Sequence, residues 1–158
     1  MIDFTKFYDD LSFIYALFME NKLTIDDIRK ISDKLVIEDG NDYLVNILIS
    51  NDEEVSNSFE NYFKDKNIII ENPKIEITKK IFSYILKGCI SMKAGIDFVH
   101  YQISDQSKYK KYVGDDLGIE QILGNYFAID DGDVADEKQI HELTQEIYKE
   151  MQEYIEKY

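Results

Sequence analysis

Past residue 136 the chain places Ile140, Leu143, Ile147, Met151, Tyr154 and Tyr158 at successive spacings of 3, 4, 4, 3 and 4. Only a backbone turning about 100° per residue gathers such positions onto one face, so this stretch reads as a long amphipathic helix. The other end of the chain repeats the pattern. Phe4, Phe7, Leu11, Ile14 and Phe18 are spaced 3, 4, 3 and 4, which predicts an N-terminal helix of about five turns. Asn21 and Lys22 end it.

Between these ends, short apolar stripes alternate with capping residues. Thr24 with Asp27 has the form of a capping box, ahead of Ile28, Ile31 and Leu35. Asp39-Gly40-Asn41 reads as a turn. A short helix with Tyr43, Leu44, Ile47 and Leu48 follows, and Asn51-Asp52 then caps another, with Val55, Phe59, Tyr62 and Phe63 inward. Ile68-Ile69-Ile70 is a poor helix and reads as a short extended piece before Pro73, the single proline. Beyond it, Ile77, Ile81, Ile85 and Cys89 form one row and Phe82, Leu86 and Ile90 a second. Two adjacent rows predict a wide buried face and a central helix, with Cys89 a buried, inert thiol.

Ile96, Val99 and Ile103 continue as a further helix after Ala94-Gly95, and Ser104 to Lys111 reads as a polar loop. Asp115 or Asp116 is expected to cap a helix bearing Ile119, Ile122, Leu123 and Tyr126. No segment alternates strictly in the manner of a strand. The fold class is therefore all-α, with about seven or eight helices in a single compact bundle or in stacked helical hairpins. One domain over residues 1–158 is expected, with an internal joint near 66–74.

Charge bounds the partners. From Asp115 to Glu156 thirteen carboxylates face two lysines, a net of −11 out of −14 for the whole chain. With Arg29 the single arginine among 18 basic residues, no nucleic-acid partner is expected. The negative charge likewise disfavours an anionic membrane surface, and no apolar run approaches the ~18 residues of a span. Met1-Ile2-Asp3-Phe4 lacks the basic start of a signal peptide, so a cytoplasmic protein is expected. Heavy use of Ile, Lys, Asn and Tyr fits an AT-rich bacterial coding bias. Lysines instead cluster at Lys74, Lys79, Lys80, Lys87 and Lys93, and again at Lys108, Lys110 and Lys111. They are expected to complement the acidic last helix within the molecule.

No phosphate-binding loop, zinc spacing or nucleophile motif is present, and neither a cofactor nor a metal is expected. Asp130-Asp131-Gly132-Asp133 fails as an EF-hand: its glycine comes too early, and a start at Asp131 puts Ala135 at the fifth position. His100 can contact Asp97 on one helical face, and an oriented imidazole can act as a base. A hydrogen-bonded structural histidine is the simpler reading, and His141 reads as a surface residue. The tyrosines are in excess where the acid is: Tyr101, Tyr109, Tyr112, Tyr126, Tyr148, Tyr154 and Tyr158. Tyrosine beside carboxylate suits a protein-recognition surface, because it supplies apolar area at low entropic cost.

The stretch Gly114-Asp115-Asp116-Leu117-Gly118-Ile119-Glu120, with Tyr126-Phe127-Ala128-Ile129-Asp130-Asp131, resembles an uncharacterised family of small acidic bacterial proteins. In size and charge the chain is similar to the immunity proteins encoded beside polymorphic toxins. That resemblance implies a neutraliser that occludes a cognate toxin, and it supplies no catalytic residues. The leading expectation is a non-enzymatic module binding a cationic protein through Tyr109, Tyr112, Asp115, Asp116, Tyr126, Asp130, Asp131 and Asp133. A small divalent-metal hydrolase using Asp115, Asp116 or His100 is the alternative, and a structural subunit of a larger assembly is the third.

Overall fold

A computed structural model describes residues 2–108 and 111–158. Among them are eight α-helices and no strand, so the protein is all-α. The helices are α1 (Leu11–Met19), α2 (Ile25–Asp39), α3 (Asp42–Ile49), α4 (Asp52–Asp65), α5 (Pro73–Leu86), α6 (Met92–Phe98), α7 (Glu120–Asp130) and α8 (Glu137–Lys157). The chain divides into two compact units, residues 3–76 and 77–158, the second joined by Ile2.

In the first unit the capping box at Thr24 and the cap at Asn51 act where the sequence places them, and Asn41 of the expected turn caps a helix as well. The Thr24 hydroxyl accepts from Asp27 N at 3.1 Å while Asp27 Oδ2 accepts from Thr24 N at 3.0 Å, closing the capping box of α2. Gly40 ends that helix in the left-handed region, and Asn41 and Asn51 cap α3 and α4. Each of α2, α3 and α4 packs on the other two. Phe13, Ile14, Leu17, Ile31, Leu44, Ile47, Val55, Phe59 and Phe63 are fully buried. Tyr15 stacks on Phe63 with ring centroids 4.4 Å apart.

Arg29, the lone arginine, works inside this unit. Its guanidinium donates to Ile47 O at 2.6 Å, Ser50 O at 3.2 Å and Asp52 Oδ1 at 2.7 Å. It thus satisfies carbonyls at the end of α3 that the helix cannot satisfy itself.

One expectation for this unit is corrected. The N-terminal helix is broken into a 3-10 turn at Phe4–Phe7 and α1. The cause is local: Asp3 accepts from Thr5 N, and Asp10 accepts from Phe13 N, so each aspartate starts a new helical segment. The apolar stripe survives the break, with Phe4 and Phe7 both edge-on to Phe13. Ile68-Ile69-Ile70 lies outside any helix, following a helix stop at Asn67, whose φ is 58°.

That stop recurs. Asn21, Asn67 and Gly88 all sit at positive φ just after a helix. At each, the following N–H reaches back five residues, as in Lys22 N to Leu17 O, Ile68 N to Phe63 O and Cys89 N to Tyr84 O. This is the Schellman arrangement. At Gly88 it ends α5 before the apolar rows run out, so Cys89 is exposed and not in the core.

The second unit is built on α5, α6, α7 and α8. Ile77, Ile81, Phe82 and Ile85 of α5 are buried, as are Ile147, Met151 and Tyr154 of α8. Phe82 meets Tyr154 edge-on at 5.3 Å. Ser91, three residues earlier than the Ala94-Gly95 start expected, caps α6 through Ala94 N. Gly95 lets α6 lie close on α5: a Cβ there would stand 2.5 Å from Ile85 Cδ1. From Val99 to Ile103 the helix widens to a π-turn that carries His100.

Candidate functional site

The acidic glycine-rich stretch before α7 is a tight turn and not a helix cap. Gly114 and Gly118 take φ of 87° and 71°, which only glycine adopts without strain. At Gly114 a side chain would also strike Leu123 Cδ1 at 2.6 Å. The chain folds back, and both aspartates engage the loop behind them. Asp116 accepts from Ser104 Oγ at 2.6 Å and Asp105 N at 2.7 Å, while Asp115 Oδ2 accepts from Lys111 N at 2.8 Å. The expectation that one of them caps α7 is therefore overturned: its N-cap is Ile119, with no side-chain hydrogen bond. Tyr154 Oη anchors the same turn to α8, donating to Leu117 O at 3.0 Å.

Helix α7 buries Ile122, Leu123 and Tyr126. Its opposite stripe, Glu120, Gly124 and Phe127, follows the i, i+4, i+7 rule and borders an open groove of about 460 Å³. Tyr112 and Val113, 56% and 41% exposed, line the groove as well, with Gln121. The Lys111 ammonium lies 4.9 Å from the Tyr112 ring centroid, a cation–π contact at the rim.

A second cleft, of about 270 Å³, shares Glu120 and Gln121 with the groove and lies between the start of α7 and the end of α8. Glu150, Glu153, Tyr154 and Lys157 contribute to it. Burial first, then Glu146 and Glu153, push the Glu150 carboxyl above its ordinary pKa, against a smaller downward pull from Lys149. Glu150 Oε2 is shielded from solvent with no hydrogen-bond partner among the described residues.

At the far end of α7, Lys93 gathers three groups. Its Nζ is 3.4 Å from Asp97 and from Asp130, and 3.5 Å from the Tyr126 hydroxyl. The Tyr126 hydroxyl, with Asp130 and Asp97 behind it, holds the Lys93 ammonium above its usual pKa. Asp131 and Asp133 are exposed beyond, in a turn where Gly132 has φ of 76°. The eleven residues of α7, about 16 Å along the axis, separate this turn from the 112–118 turn.

Of the residues singled out from sequence, Tyr112 lines the groove. Asp115 and Asp116 build the turn beside it, Tyr126 and Asp130 meet at Lys93, and Asp131 and Asp133 stand free of the groove. Tyr109 lies outside the described residues. Glu120, Gly124, Phe127 and Glu150 escaped attention. The signal for the first three was available, because α7 has a second, non-core stripe with a glycine in its middle. Glu150 had none, since its burial comes from a packing partner remote in sequence.

His100 is 8% exposed, its ring 4.4 Å from Tyr101 and 5.3 Å from Phe127. Burial lowers its pKa, against upward pulls from Asp97 and Asp116. Among the described residues, no three His, Cys, Asp or Glu side chains are grouped to hold a metal ion, and no helix is long and apolar enough to cross a membrane. No protein-family model, curated protein or solved structure matches the chain.

Proposed function

We propose that the protein is a non-enzymatic binding module that docks a cationic protein partner through the 112–127 face, in the manner of an immunity protein covering a basic toxin. One observation carries this reading: an open, mostly apolar groove with exposed tyrosine and valine at its edge lies in the acidic part of the chain. Aromatic groups that are rigid and already partly desolvated are favoured anchors for protein contacts. The surrounding carboxylates supply steering. On α8, Glu142, Glu146 and Glu153 pair with lysines of their own helix only at 3.6–3.8 Å and in solvent. Such pairs are weak, so most of the negative field remains available to a partner.

The hydrolase alternative is less well supported, because the Asp116 oxygens and one of Asp115 accept hydrogen bonds from Ser104, Asp105 and Lys111. The test begins by isolating the partner from the native host and identifying its contact surface. Its association rate with the purified protein is then followed as ionic strength rises. The rate should fall steeply. A salt-independent rate, or an acidic contact surface on the partner, would defeat the reading.

A further inference from the structure

Two features of the groove and its neighbouring cleft work against the stability of the fold. A glycine inside a helix costs about 1 kcal/mol relative to alanine. Such a residue is normally explained by another backbone or side chain pressing against it. At Gly124 φ is not positive, and a Cβ would meet nothing within 4 Å. The position opens the groove, and among the described residues nothing packs against it. Glu150 is the second feature: a carboxylate oxygen withdrawn from water with no donor to meet it. Buried acceptors of this kind are uncommon and call for an explanation. Both features border depressions that share Glu120 and Gln121.

Resting on the binding reading above, we infer that groove and cleft are two halves of one site for a segment of the cationic partner. An apolar side chain of that segment sits over Gly124 against Phe127 and Tyr112. A neighbouring lysine or arginine enters the cleft toward Glu150 and Glu153. The order has a direction. Lys111 at the Tyr112 rim repels a cation there, whereas the carboxylates attract it at the α8 side, where Lys157 is the opposing charge.

The probes are three short synthetic peptides in a glycine–serine frame. The first carries phenylalanine beside an arginine pair, the second replaces phenylalanine by alanine, and the third replaces both arginines by glutamine. Binding is followed residue by residue by NMR titration of the whole protein at low ionic strength. The first peptide should shift resonances of Tyr112, Gly124 and Phe127 together with Glu150 and Glu153. The second should bind about tenfold more weakly, the difference expected for burying one aromatic side chain.

Gly124→Leu, which fills the groove from an open position, should weaken the first peptide about tenfold and leave the second unchanged. Glu150→Gln should weaken both arginine peptides about fivefold. Circular dichroism and thermal melting verify that the variants fold, and Gly124→Ala supplies a smaller plug if the leucine does not. Equal binding of the first two peptides, unaffected by Gly124→Leu, would overturn the two-part site and leave the acidic binding module standing. No shift with any peptide would overturn both.

Discussion

Gly95 and Gly124 both lie within helices of the second unit, α6 and α7, and they differ in what lies against them. At Gly95 an added Cβ would run into Ile85 Cδ1 at 2.5 Å, Ile85 Cγ1 at 2.8 Å and Ile81 Cγ2 at 3.1 Å. There the missing side chain permits close packing of α6 on α5, and its cost is offset by that packing. At Gly124 the same absence adjoins open space, and nothing among the described residues offsets it. The contrast separates a glycine required by the fold from one that the fold does not require. It directs attention to the groove more sharply than the acidic residues do, because solvated carboxylates are compatible with almost any soluble surface.

The comparison breaks most readily at its packed side. Gly95→Val should destabilise the protein by about 2–3 kcal/mol, read from chemical denaturation, because a buried branched side chain would have to displace Ile85 and Ile81. A neutral outcome would mean that α6 can move away from α5 freely, and the contrast between the two glycines would collapse.

Asp116→Ala should cost about 2 kcal/mol, since its carboxylate accepts two short hydrogen bonds from Ser104 and Asp105. Hydrogen exchange should rise in the 104–108 backbone first. If it rises no more there than elsewhere, Asp116 is not what ties that loop to the turn beside the groove.

On the open side the sign reverses. Gly124→Ala should stabilise by about 0.5–1 kcal/mol, visible as a higher denaturation midpoint at unchanged slope. A loss of stability would show that the position is constrained after all.

Glu150→Gln should give the smallest gain, a fraction of a kcal/mol at neutral pH. Its folded pKa is raised, so the ionised form is disfavoured in the fold. That group's contribution is fully present below the ordinary glutamate range and is lost as pH rises through the raised value. The advantage of glutamine should therefore vanish in acid, when Glu150 is protonated in both states. Melting temperatures of the two proteins at neutral and acid pH measure this, and a pH-independent difference would point to packing. Glu146, Lys149, Glu153 and Lys157 on α8, with Glu120 of α7 across the cleft, are the charges that set the shift or face it.

How much of this was legible beforehand varies with the range of the interaction. The capping box at Thr24 and Asp27, the turn at Asp39-Gly40-Asn41 and the cap at Asn51 all follow from residues within four positions of one another. They are found where the pattern predicts them. Misreadings arose where two local solutions compete. Asp10 in the middle of an apolar stripe can lie on a helix or start one, and the hydrogen bond to Phe13 N decides for starting. Asp115 and Asp116 have the chemistry of a cap, yet Gly114 and Gly118 turn them toward Ser104, Asp105 and Lys111. The exposure of Cys89 followed from α5 ending at Leu86, with the left-handed stop at Gly88 just before the cysteine. In the candidate site, Tyr112 was legible as an exposed aromatic beside acid. Gly124 was visible in the sequence but carried no meaning without knowing whether a neighbouring element covers it.

Helical periodicity, the apolar faces and most helix ends are written in short-range spacing, because backbone geometry and capping bonds involve only neighbouring residues. That much of the protein follows from the amino-acid order alone. Which surfaces remain uncovered does not, because it depends on how α7, α8 and the 112–118 turn pack in three dimensions. Packing hides Ile122, Leu123 and Tyr126, leaves Gly124 and Phe127 along a groove, and withdraws one oxygen of Glu150 from water. Charge composition suggested an acidic partner-binding surface, and only the tertiary arrangement distinguished the carboxylates that hold a turn from those that border a cleft.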